Sequence, residues 1–414
     1  MSPLDCDVAI VGGGIAGSAL ATVLAREGLD VVVLERQRAY ADRVRGENLH
    51  PWGVAEAQRL GLDDVLRDAG GHLVAEAVDY ADGDDPQAAE AEPLPLGHMV
   101  DGVPGELNLA HPAACEALAQ TAAAQGARVL RGVSHVALTP GARPRVAYRW
   151  NGGAAGEVAC RLVVGADGRS SRVRRQAGIT LERAAETHLI AGLLVDGLDL
   201  DPRRNVVAVG EDVWMVTFPQ GGGRARVYLC PGTEDPRRYA GPGGSERFLT
   251  ASCFDAVPKG QAWAEAAPAG PCRTFPADDT WTDRPFAEGV VLIGDAAGYT
   301  NPLIGQGLAL ALRDVRALRD LLRDSAVWDP AAFARYGADR AERLRRVRFI
   351  AQLHAALWTT FGAEGRRQRR AVHNRQRSDP ELLAATLAIF TGPDQLDPPV
   401  CTEAFRRRCL GLSP

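Results

Sequence analysis

Lysine is nearly missing from this chain: of 47 basic residues, Lys259 alone is lysine and the rest are arginine. Methionine is scarce, at 3, and aromatic residues make up only 6%. The 8 cysteines form no CxxC pair and are scattered among Val, Ala and Leu, which argues for reduced, buried thiols rather than a metal cluster or disulfide framework. No apolar run is long enough to span a bilayer, and the chain enters a strand with no basic-then-apolar leader, so a cytoplasmic protein is expected. A net charge of -5 gives no nucleic-acid footprint. What remains is globular: 414 residues, 46% hydrophobic and 24% charged, enough for two or three domains with full cores. No internal repeat is visible.

Near the start, Asp7 to Val11 reads as a strand, and GGGIAG follows from Gly12 to Gly17. A helical pattern then runs to Gly28, and a second strand, DVVVLE, ends on Glu35. This is G-x-G-x-x-G between a strand and a helix, with an acid roughly 20 residues on, where a ribose hydroxyl partner is needed. Gly12 permits the tight turn, Gly14 lets a pyrophosphate approach and Gly17 lets helix pack on strand. The ligand class is an ADP-containing dinucleotide, FAD or NAD. A nicotinamide dehydrogenase would continue with further βαβ units. Here instead comes an arginine-rich loop with Arg43, Arg45 and Gly46, then a helix from about Pro51 to Leu60.

At the far end, VVLIGDAAGYTNPLIGQGLALAL (290–312) reads as a buried strand breaking at Gly294-Asp295, a glycine-rich loop, and an apolar helix starting near Gly307. Strand ends leading to helix N-termini are where such sheets bind ligands. Asp295 offers an acceptor for a sugar or ribityl hydroxyl; Gly305 and Gly307 allow a flat ligand close to backbone.

Between these ends the texture is strand-rich. Short strands fill residues 72–150, with an exposed acidic loop expected over Asp82 to Pro95 and one helix from His111 to Gln125. His111 reads either as a cofactor contact or as a solvent-facing helix entry. Asp167, in GADG (165–168), either contacts a cofactor or caps the short helix Ser171 to Ala177. Residues 189–275 return to strands whose faces offer Trp214, Met215, Phe218 and Tyr228 to a substrate, although alternation gives at most about half of them one face. After Val315 the chain is helical and arginine-rich; Leu344, Val347, Ile350, Leu353 and Leu357 follow helical spacing, giving a packed helix with a solvated basic face.

GGGIAG with Glu35, GADG, and GDAAGYTNPLIGQGL together resemble the group A FAD-dependent monooxygenases, the p-hydroxybenzoate hydroxylase-like family, over Val8 to about Leu322. The resemblance implies an α/β fold: a Rossmann-type FAD-binding domain (1–71, 111–184, 286–324) interrupted by a strand-rich substrate domain (72–110, 185–285), with C-terminal helices over 325–414. It implies that Gly12, Gly14, Ala16, Gly17, Glu35 and Arg36 hold the ADP half of FAD. Arg43, Arg45, His111 and Asp167 would contact the cofactor, and Gly294-Asp295 its ribityl chain. Pro302 would lie beside the isoalloxazine, with Gly305, Gly307 and Leu308 at its N1/O2 edge. It further implies NAD(P)H as transient reductant, and O2 converted to a flavin C4a-hydroperoxide that hydroxylates or epoxidises a small organic, aromatic or polyketide-like molecule. The protein would be a monomer or homodimer with no nucleic-acid partner.

The sequence also departs from the family. The common His after G-D-A-A is Gly298, so no general acid or base is identified. Gly298-Tyr299 is nearer the related flavin-dependent halogenases. Of their W-x-W-x-I-P, however, WMVTFP (214–219) keeps only the ends, and Lys259 sits far from the place of their catalytic lysine, so halogenation is disfavoured. A flavin-dependent reductase or dehydrogenase, or a non-enzymatic dinucleotide-binding protein, are the other readings.

Overall fold

The computed structural model describes residues 4–81, 85–185, 188–231 and 237–412. Its first sheet is organised around the strand Leu4–Val11, flanked in parallel by Val31–Glu35 and Ala155–Gly165. Arg128–Arg131 and Val290–Leu292 extend the parallel set on either side. Every residue of Val31–Glu35 is buried, as expected of a parallel strand covered on both faces. The helix Ile15–Arg26 covers one face and packs against His111–Ala124 and Gly307–Asp324. An antiparallel meander, Val133–Thr139 and Arg145–Trp150, is appended to Ala155–Gly165.

The second sheet is built from the middle of the chain. His188–Asp196, Ala225–Pro231, Val213–Pro219 and Arg204–Val209 run antiparallel in that spatial order, and Glu76–Ala81 joins Arg204–Val209 in parallel. One face packs a separate core with Met215, Leu193, Phe248 and Trp263. The other face carries Trp214 and Val216. A three-stranded patch, Asn48–Leu49 with Glu106–Asn108 and His72–Val74, pairs segments from three separate stretches of the chain. The Rossmann-type sheet, the strand-rich insertion and the C-terminal helices correspond to the architecture expected of the sequence.

Two expectations need correction. The acidic tract is not wholly loop: residues 82–84 lie outside the described residues, but Pro86–Ala91 is a short helix whose N-cap, Asp85, accepts from the Gln87 N–H. The long helix Pro330–Trp358 does bury Leu344, Val347, Ile350, Leu353 and Leu357. Its basic residues are not all solvated, however; Arg340 and Arg343 are buried against Asp314. Helical periodicity counts apolar positions and cannot see a guanidinium whose counter-charge comes from another helix.

Candidate active site

The first loop shows why glycine stands where it does. Gly12 has φ 103°, and a Cβ there would lie 2.4 Å from the Ala166 carbonyl oxygen. A Cβ on Gly17 would lie 1.9 Å from the Gly12 oxygen, so this glycine lets the helix seat on the turn. Gly14 is different. A Cβ there meets nothing within 4 Å: its open side faces a cleft. Gly14 is also the N-cap of its helix and supplies no side-chain cap, so the first-turn N–H groups are presented to that space. At the other end of the same cleft the helix Gly307–Asp324 likewise begins without a side-chain cap, and a Cβ on Gly307 also meets open space. Two helix N-termini with glycine at their mouths therefore open into one cavity of about 690 Å³.

All the residues singled out from the sequence line this cleft except Gly17, which packs behind it, and Met215. Met215 is a correction. It points into the second core, fully buried, because alternation along Val213–Pro219 sends Trp214, Val216 and Phe218 to the cleft side instead.

Glu35 ends its strand with both carboxylate oxygens engaged, Oε2 accepting from the Gly13 N–H and Oε1 from the Gln37 N–H, each at 2.6 Å. Asp167 is turned to the short helix Arg172–Gln176: it accepts from the Arg172 N–H at 2.6 Å and from the Ser171 hydroxyl. This is the capping arrangement. Asp295 remains more open, its side chain 37% exposed, with Arg169 Nε at 3.4 Å. Gly298 has φ 113°, and a Cβ would come within 2.5 Å of the Thr280 carbonyl oxygen, so the backbone itself excludes a histidine there.

The arginine loop is pinned through the residue between its two arginines. Val44 is fully buried with φ 57°, a left-handed conformation costing a β-branched residue about 1–2 kcal/mol. Asp42 Oδ1 accepts its N–H at 2.8 Å, and its side chain fills the space that Gly192 leaves. Arg43 and Arg45 consequently project to the cleft from a fixed root. Arg45 lies over the Phe275 ring, and burial, then the Arg169 charge, lowers its pKa. His111 packs beneath Gly46 and lines the cleft; burial, then the Arg43 charge, holds its pKa below the usual range, leaving a neutral ring. The solvent-facing reading of His111 is thereby set aside.

Several cleft residues carried no sequence signal. Tyr40 donates its hydroxyl to the Gly13 carbonyl, bracing the glycine turn. Trp358, the last residue of the long C-terminal helix, stacks on Trp214 at 5.0 Å and 15° between planes. His50 joins Glu106 (Nδ1 to Oε1, 2.5 Å) to the Ile304 carbonyl (Nε2, 2.9 Å), tying the central patch to the turn before Gly307. These groups meet only through folding, across separations of 56 and 254 residues.

Glycine-mouthed helix N-termini and five lining arginines form a donor set, with Glu35 and Asp295 as acceptors, suited to a dinucleotide with an anionic pyrophosphate and a flat, electron-rich ring. A family model described as "FAD binding domain" matches residues 5–348, and the chain belongs to that family of FAD-binding flavoproteins. It is similar to the squalene monooxygenase of Mus musculus, 28% identical over 336 residues, covering 79% of this chain and 57% of that protein. It is also similar to squalene epoxidase 3 of Arabidopsis thaliana, 28% identical over 327 residues, covering 78% of this chain and 61% of that protein. The chain thus spans under two thirds of these relatives' length. Among solved structures, pqsL from Pseudomonas aeruginosa, titled a probable FAD-dependent monooxygenase, aligns with TM-score 0.70 and 27% identity over 86% of this chain and 97% of that one. A flavoprotein/dehydrogenase from Cytophaga hutchinsonii shares the fold with TM-score 0.76 at 17% identity, covering 97% of this chain and 96% of that one. Lys259 pairs with Asp199, and neither lines the cleft.

Proposed function

We propose that this chain is an FAD-dependent monooxygenase, using NAD(P)H and O2 to hydroxylate or epoxidise a small organic substrate. The observation that carries the reading is the continuity of one cleft. It runs from the Gly14 cradle past Asp295 to the Gly307 helix and on under an aromatic wall of Trp214, Phe218, Phe275 and Trp358. In this reading Gly12, Gly14, Glu35 and Arg36 hold the ADP half, and Asp295 and Arg45 the middle of the cofactor. Pro302, Gly305, Gly307 and Leu308 border its ring. Bound FAD supplies a two-electron carrier able to take hydride from NAD(P)H and to reduce dioxygen.

The protein's own contribution is positional and electrostatic. With the cofactor bound, the N–H groups at Gly307, which no side chain caps, would favour negative charge placed beside them. The Trp214–Trp358 stack and the apolar residues around it exclude water from the reacting face. Residues 72–110 and 185–285, joined by Trp358, supply the substrate wall, and the remaining part up to 324 supplies the cofactor half. Relatives named for squalene and a neighbour titled a probable monooxygenase support oxygen insertion. The test is NADPH oxidation in ¹⁸O2 with a substrate panel. Label in a product is expected; substrate turnover with no incorporated label would replace this reading by a flavin-dependent reductase.

A further inference from the structure

Among the described residues, three cleft-lining side chains carry a polar atom that is enclosed yet has no hydrogen-bond partner: Asn48 Oδ1, Glu47 Oε1 and Trp214 Nε1. The residues are 5%, 3% and 2% exposed. The surrounding network leaves them that way. Asn48 Nδ2 donates to Glu106 Oε2 at 2.7 Å and to Asn108 Oδ1 at 3.0 Å. Turning the amide over would set its oxygen against two acceptors, so the orphaned atom is the oxygen. The nearby amide and hydroxyl donors are committed, whereas Arg226 Nε and Nη1 are themselves enclosed without a hydrogen-bond partner. Asn205 Nδ2 goes to Glu106, Asn108 Nδ2 to Asn205 Oδ1 and the Pro219 carbonyl, and the Tyr228 hydroxyl to Glu47 Oε2. Arg226 Nη2 donates to Asp42 and stands 3.4 Å from Glu47 Oε1, an ion-pair distance without a hydrogen bond. Asn48 Oδ1 also lies against the open side of Gly305, 3.6 Å from where a Cβ would be. Trp214 offers a donor only, its ring fixed by the stack on Trp358.

An enclosed polar atom is costly to leave unmade, and these three line one cleft that also carries the aromatic side chains of Phe218, Phe275 and Trp358. We propose that Asn48, with Glu47, and Trp214 are specificity-determining residues. They select a neutral, ring-bearing, oxygenated molecule that brings an O–H or N–H to the Asn48 side and a carbonyl or ether oxygen to the Trp214 indole. A pure hydrocarbon satisfies neither. A charged head group would have to be desolvated beside the enclosed acids Glu47 and Glu106, which costs far more than burying a neutral hydroxyl. This rests on the monooxygenase reading for calling the ligand a substrate, but its test is binding.

The probes are 6-hydroxy-1-tetralone, which has both groups, 6-methoxy-1-tetralone, which keeps only acceptors, and tetralin, which has neither. Each is titrated into the flavin-loaded protein without reductant, followed by calorimetry and flavin difference spectra. The hydroxy-ketone is expected to bind about tenfold tighter than the methyl ether, and the ether about tenfold tighter than tetralin, one buried hydrogen bond per step. Asn48→Ala should erase the first preference and keep the second. Trp214→Phe, which retains a stacked ring, should erase the second and keep the first. Equal affinity of the three probes, binding of none, or preferences that survive both variants overturn the inference. Loss of all binding in one variant with normal flavin content counts against it too, because tetralin uses neither group. If the preferences hold but no product acquires ¹⁸O, the monooxygenase reading fails and this one stands; oxygenation without the preferences is the converse.

Discussion

Arg340, on the long C-terminal helix, donates its Nε to Asp314 Oδ2 at 2.9 Å, and the same carboxylate oxygen accepts the Gly294 N–H at 2.9 Å. The guanidinium then reaches the carbonyls of Ala297, Gly294 and Gly298 at 2.8–3.2 Å. One fully buried charge therefore fixes, from behind, the loop that presents Asp295 to the cleft. Removing Arg340 leaves Asp314 paired with Arg343 (Nη2 to Oδ1, 3.0 Å) but takes the donor from three loop carbonyls. Arg340→Met is expected to lower stability by about 1–3 kcal/mol, read by urea unfolding of the apoprotein. It should also weaken FAD beyond that loss, so that protein still folded at low temperature carries substoichiometric flavin.

Gly14 and Gly17 belong to one motif but predict opposite phenotypes. A Cβ at Gly14 points into open cleft, and the backbone there, φ -73°, accepts an L-residue. Gly14→Ala should leave apoprotein stability unchanged or raise it by about 0.4–1 kcal/mol, while FAD affinity falls at least tenfold by fluorescence titration. Gly17→Ala drives a methyl group into the Gly12 carbonyl oxygen and should cost about 1–3 kcal/mol of stability. Equal effects of the two on FAD affinity and on stability would refute the assignment of Gly14 to the pyrophosphate.

How far the sequence could be read follows from the range of its signals. The Gly12–Glu35 unit and the Gly294–Gly307 loop are local, each a strand, a turn and a helix in one stretch, and both lie where their spacing implies. The substrate side is not local. Trp358 meets Trp214, and His50 meets Glu106 and Ile304, only after the chain has folded. Trp214, Phe218 and Tyr228 share the cleft side, and Met215, next to Trp214 in the strand, is turned by alternation into the second core. The buried pairing of Arg340 with Asp314 was hidden because each looks, in its own helix, like an ordinary solvated charge.

Asp295 lines the cleft, and Arg169 is its only ion-pair partner among the described residues. Asp295→Ala should therefore purify colourless or nearly so, with unfolding little changed. Arg45→Ala, which removes a side chain lying over the Phe275 ring, should weaken FAD less, by about tenfold. Full yellow colour in Asp295→Ala after gel filtration, by absorbance ratio, would remove this residue from the cofactor site.

Glu47 gives the protein a pH-dependent component of stability whose sign is fixed by burial. Desolvation raises its pKa from 4.5 to about 7, against the opposing pull of Arg226 and the Tyr228 hydroxyl, while Asp42 adds to the rise. Because the folded value lies above the unfolded one, the native state holds an extra proton between them. This group's contribution is thus most favourable at low pH and is lost as pH rises from about 4.5 through 7, beyond which the penalty of the buried carboxylate is complete. The wild type should accordingly lose stability between pH 5 and 8 relative to Glu47→Gln, which cannot ionise and keeps an acceptor for Tyr228. Urea midpoints of the two proteins at pH 5, 6, 7 and 8 check this; a difference that is flat across the range would show that Glu47 is ionised throughout.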